Sequence, residues 1–101
     1  MEPECRRISR EVVPAVRAYL AEVMSMEYGY RQQQIAKKLG IAQVAVSKYL
    51  NGKYSEDVAK MKRMVSQAMT RETARTIIES KDVNEANAAI EKVSEQYVLI
   101  R

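Results

Sequence analysis

The apolar positions of this chain fall into short helical registers, broken by glycine or by small polar clusters. Val12, Val13, Val16, Tyr19, Leu20 and Val23 recur at spacings of three and four, which predicts a helix from about Arg10 to Met26 with these residues inward. Ser9 stands where an N-cap is expected, and Pro14 falls in or near the first turn, where it either begins the regular helix or bends it. Gly29, between Tyr28 and Tyr30, is the expected stop.

Two shorter patterns then flank Gly40 in the stretch RQQQIAKKLGIAQVAVSKYLNGK, residues 31–53. They predict helices over about Gln32–Leu39 and Gln43–Leu50, the second ending at Asn51-Gly52. So short a separation allows only a tight helix-turn-helix. Ala36 is the small residue needed where the helices cross, and Gly40 is the residue able to take positive φ in the turn. Ile35, Leu39, Ile41, Val46 and Tyr49 complete the scaffold that pins the pair to the remaining helices. The DNA-binding form of such a unit lays its second helix in the major groove.

Downstream, Ser55 before Glu56 and Asp57 reads as a cap followed by dipole-favoured acids. The helix it starts carries Val58, Met61, Val65 and Ala68 on one side, with Met64 and Met69 beside them. The polar run TRETART, residues 70–76, leaves open whether this helix continues to Ile78 or restarts near Thr70. Asp82 and Glu85 form a capping-box signal for a last helix over about Val83–Leu99. Its Val83, Ala86, Ile90, Val93, Tyr97 and Ile100 make a narrow seam that either folds back on this chain or pairs with a second copy. Two heptads make a weak dimer, so folding back is favoured. Residues 1–8, polar and punctuated by Pro3, read as an arm.

Composition narrows the function. In these 101 residues glycine and proline are scarce and phenylalanine and tryptophan absent, which favours an all-helical fold. No apolar run is long enough to span a membrane and the N-terminus lacks an apolar signal core, so a cytoplasmic protein is expected. The lone Cys5 reads as a reduced thiol. With no histidine and one cysteine, imidazole catalysis and thiolate zinc clusters are excluded, and no glycine-rich phosphate loop is present. No enzyme activity and no cofactor is expected. The net charge of +4 is unevenly spread: residues 1–54 hold nine Lys or Arg against five acids, and 55–101 hold eight against eight. Within 31–53 the bases Arg31, Lys37, Lys38, Lys48 and Lys53 meet no acid, a pattern that suits a polyanion but also occurs on solvated helix faces.

The segment QQQIAKKLGIAQVAVSKYLNGK resembles the helix-turn-helix of the lambda-repressor and Cro (Xre-like) transcriptional regulators. The longer REVVPAVRAYLAEV with YGYRQQQIAKKLGIAQVAVSKYLNGK is also similar to a group of predicted archaeal regulators. Related domains of that group can be joined to a thiamine-phosphate-synthase-like module, which these residues do not contain. The resemblance implies an all-α, five-helix lambda-repressor-like DNA-binding domain with a C-terminal helical extension. Its parts would be an arm at 1–8, the DNA-binding domain at 9–80 and a packing or dimerising helix at 81–101.

The resemblance also implies site roles. Gln32 would touch a phosphate and brace Gln43, and Gln43 would pair with adenine N6 and N7. Val44 would meet a thymine methyl, with Ser47 and Lys48 one turn on; Lys48 would hold guanine or a phosphate. Asn51 and the backbone near Gly52 would clamp a phosphate, flanked by Arg31 and Lys53. Without the resemblance, Gln32 is a plain helix-start residue and Lys53 a loop charge. Lys37 and Lys38 read as solvated, and Arg6, Arg7 and Arg10 as an ordinary basic terminus rather than an arm along DNA. The implied partners are double-stranded DNA and a second copy in a homodimer; no effector is identified. The alternative is a protein-interaction or adaptor module that keeps the fold without specific DNA binding. The polar to basic outer face of the third helix, poor in large apolar anchors, argues against it.

Overall fold

The chain's most alanine- and valine-rich segment becomes the hub around which the other helices pack. The structure is a computed structural model that describes residues 12–100, with side chains as far as residue 95. Cys5, Arg6, Arg7, Ser9 and Arg10, and the side chains of Tyr97 and Ile100, lie outside the described residues. Among the described residues there are six helices and no strand: α1 (Val13–Met26), α2 (Gln32–Leu39), α3 (Gln43–Leu50), α4 (Glu56–Ala68), α5 (Arg71–Ile78) and α6 (Val83–Ile100). The fold is all-α, with six helices rather than five among the described residues.

The hub is α1, which packs against each of the other five helices. Val12, Val16 and Leu20 are fully buried as the periodicity predicts, while Val13, Tyr19 and Val23 are half-buried. Ala15, Ala18, Ala21 and Met24 are buried as well. The buried surface is therefore wider than the predicted stripe: the alanines have no side chain to hold neighbouring helices away, so α1 is enclosed on more than one face.

The sixth helix comes from the break left open at Thr70. Met69 is extended (ψ 127°) and buries its side chain in the core, and the Thr70 hydroxyl accepts the Thr73 N–H at 3.1 Å. A cap and a buried methionine end one helix and start the next without glycine or proline. Val58, Met61 and Val65 of α4 are buried as expected; Ala68, expected beside them, is exposed at the helix end because Met69 turns inward instead. Ala74, Ile77 and Ile78 give α5 its inner face.

α6 folds back on its own chain, against α1, α2 and α5. Ala86, Ile90 and Ser94 are fully buried, and the Ser94 hydroxyl is satisfied by donating to the Ile90 carbonyl at 2.7 Å. The capping signal forms: Asp82 accepts the Glu85 N–H at 2.9 Å, and Glu85 accepts the Lys81 N–H at 3.0 Å. The described part of the seam is thus used inside the molecule.

Candidate nucleic-acid interface

Within this frame α2 and α3 form the tight pair anticipated from residues 31–53. Gly40 has φ +70°, and beyond it the Ile41 N–H donates back to the Ala36 carbonyl at 3.0 Å, so the chain leaves α2 in a closed turn. Ile35, Ala36 and Leu39 of α2 are buried, and Ile41 in the turn is half-buried. In α3 only Val46 is fully buried, with Tyr49 and Leu50 half-buried against the core. α3 therefore rides on the surface by one row of contacts.

That leaves the rest of α3 facing outward. Gln43, Val44 and Lys48 are exposed, Val44 to 64%, and Ser47 is half-buried between them. Residues 44, 47, 48 and 51 share one helix face, with Gln43 at its leading end. Asn51 closes the stripe, but its amide is occupied: Nδ2 donates to the Ser47 carbonyl at 2.9 Å and to Ser47 Oγ at 3.3 Å. Gln32 is half-buried at the start of α2 and is not hydrogen-bonded to Gln43. Arg31 is exposed beside it, and its N–H donates to Gln34 Oε1 at 2.8 Å. After α3 the Lys53 N–H donates to the Lys48 carbonyl at 2.8 Å, which brings exposed Lys53 back beside the end of that helix.

The helix starts differ in a way that bears on anions. Ser55 and Thr70 cap α4 and α5 through side-chain oxygens, and acids occupy the first turns of α4, α5 and α6. Neither α2 nor α3 has an acid in its first turn, and neither Arg31 nor Ala42 supplies a capping oxygen. Unfilled N–H groups and the positive end of the helix dipole at both starts suit a phosphate. Its trace in the sequence is the lack of Ser, Thr, Asp or Asn at positions 31 and 42.

Two lysines take internal roles. Lys38, expected to be solvated, instead donates from Nζ to the Ser80 carbonyl at 2.8 Å, a link across 42 residues. Lys62 pairs with Glu22 between α4 and α1. Burial pulls the Lys62 ammonium down, but hydrogen bonding and charge from Glu22, with a further share from Tyr54, outweigh it and hold Lys62 above the usual lysine range. Lys37, like Arg31, Lys48 and Lys53, is exposed.

Among the described residues no group of three or more His, Cys, Asp or Glu is placed to hold a metal, and no helix is long and apolar enough to cross a membrane.

Residues 20–68 match a family model described as helix-turn-helix, a family of DNA-binding transcriptional regulators. No curated protein and no solved structure matches the chain. The matched segment runs from the middle of α1 to the last residue of α4, so it holds the α2–α3 pair and the helices on which it sits. Residues 20–68 are thus a helix-turn-helix domain of the lambda-repressor-like (Xre) kind.

Proposed function

We propose that the chain is a sequence-specific double-stranded DNA-binding regulator that lays α3 in the major groove and acts as a homodimer on an inverted repeat. The observation that carries this reading is the outward stripe of α3. Val46 alone is fully buried there, Gln43, Val44 and Lys48 stand exposed, and the surrounding stretch 31–53 contains no carboxylate. Gln43 pairs with adenine, Val44 meets a thymine methyl, and Ser47 and Lys48 reach base edges one turn on. Arg31, Gln32, Asn51 and Lys53 hold phosphates beside the acid-free starts of α2 and α3. Asn51 does so through its side-chain Nδ2–H, by giving up a bond to Ser47. The DNA-binding domain is residues 9–80, preceded by an arm at 1–8 and followed by a C-terminal helix at 81–101.

Binding of the full chain to a random-sequence duplex at rising salt tests the reading. We expect the logarithm of the affinity to fall linearly with that of salt, at a slope of about −0.9 per phosphate contacted. Absence of salt-dependent duplex binding would leave the interaction-module alternative standing.

A further inference from the structure

The family match ends at Ala68, yet the segment joining α5 to α6 sits directly on the helix-turn-helix. Two contacts make the seat. Lys38, in the last turn of α2, donates to the Ser80 carbonyl at 2.8 Å in a partly buried setting. On the turn itself, a β-carbon built on Gly40 would stand 2.5 Å from Val83 Cγ1 and 3.7 Å from the Asn87 amide nitrogen. The backbone of the turn is thus pressed against the first turn of α6. Ala86 and Ile90, both fully buried, hold that helix in place behind the contact.

α3 needs such a seat more than its neighbours do. It is eight residues long, has no side-chain cap and buries only Val46 completely, so its own packing holds its direction weakly. A charge-assisted hydrogen bond at one end of the turn and a methyl contact at its apex restrain the angle at which α3 leaves Gly40. Base readout depends on that angle, whereas contacts to the regular phosphate backbone tolerate small shifts.

We infer that Lys38, Ser80 and Val83 are positioning residues: Ser80 and Val83, beyond the matched segment, brace Lys38 and the turn and so aim the recognition helix. This rests on the DNA-binding reading. It makes Lys38 an internal ligand of the protein, not one of its phosphate contacts.

The test compares Lys38→Met, Lys38→Arg and Val83→Ala in the full chain, on the wild-type selected duplex and on a random duplex across a salt series. Hydrogen exchange of the Ile41, Ala45 and Val46 amides is followed without DNA. For Lys38→Met and Val83→Ala, we expect faster exchange at these three amides relative to Val65. We also expect a loss of about tenfold or more on the selected site, the size of one base contact, with the salt slope unchanged. Lys38→Arg, which keeps a charged donor, restores both readouts. A slope lowered by about 0.9 in Lys38→Met, with Val83→Ala like wild type, would make Lys38 a phosphate contact and overturn the brace. Wild-type exchange in both Lys38→Met and Val83→Ala would overturn it too. Faster exchange in a protein whose wild type binds no duplex would uphold the brace and defeat the DNA-binding reading instead.

Discussion

Gly40 is the residue at which local conformation and long-range packing make the same demand. Its φ of +70° excludes most side chains on backbone grounds, and Val83 excludes a methyl on steric grounds. Gly40→Ala therefore costs more than the roughly 1–2 kcal/mol of the left-handed conformation alone. Adding Val83→Ala recovers the steric part and leaves the backbone part, which a double-mutant cycle by denaturant unfolding resolves. If Val83→Ala gives no recovery, the turn does not rest on α6. The backbone half of this was legible in the sequence as a glycine between two helical patterns. The steric half was not, because Val83 lies 43 positions away from Gly40 and only the fold brings them together. Lys62 makes a second prediction at this scale. Its folded-state pKa is raised, so its bond to Glu22 contributes stability that is fully present below the unfolded value, near 10.4, and is lost as pH rises through the folded value. Glu22→Gln should lower stability by about 0.2–1 kcal/mol at neutral pH, as for a partly exposed pair. That difference should shrink in melts above pH 10.4, and a difference that stays constant there would contradict the linkage.

Helix by helix, the periodicity located the end of α1, both ends of α2 and α3 and the start of α4 closely, because residues with strong local preferences stand there. Gly29, Gly40 and Asn51-Gly52 stop helices, and Ser55 starts one. The boundary between α4 and α5 had no such mark. Thr70 is an ordinary residue in a polar run until its hydroxyl takes the Thr73 N–H, and burial of Met69 requires the extended backbone there. A break made jointly by a cap and a tertiary contact leaves little trace in one dimension. The seam of α6 was legible as a seam, but its partner was not, since the same spacing serves an internal groove or a second chain. The fully buried Ile90 decides this for the described part of the helix. Ile90→Ala should cost about 2–5 kcal/mol in chemical denaturation. A loss under about 1 kcal/mol would mean that α6 is not packed where we describe it.

At the scale of the whole molecule, the other five described helices surround α1, and the α2–α3 pair projects one helix face that the core does not claim. The chain measures 36 × 26 × 23 Å, so its long axis is comparable to one turn of duplex, roughly 34 Å. Two copies related by a two-fold axis would reach successive major grooves, which is why the proposal couples DNA reading to a homodimer. The sequence foreshadowed the burial of Ile35, Ala36, Leu39 and Val46 and the positive φ of Gly40, because these answer local and nearby packing demands, but not the contacts of Gly40 with Val83 or of Lys38 with Ser80. It marked the proposed reading edge only as an exposed stripe, since which base each side chain would meet depends on a docking geometry that no residue of this chain encodes alone. Selection of bound sites from random duplex DNA, run in parallel on wild type and Gln43→Ala, tests that edge directly. We predict a palindrome with half-sites about 10–10.5 base pairs apart, centre to centre, for the wild type. In the variant, preference at one base pair of each half-site should relax by about 1–3 kcal/mol while the other positions hold. An unchanged preference in the variant would contradict the role of Gln43, and no enriched sequence from the wild type would contradict the central claim that α3 reads DNA.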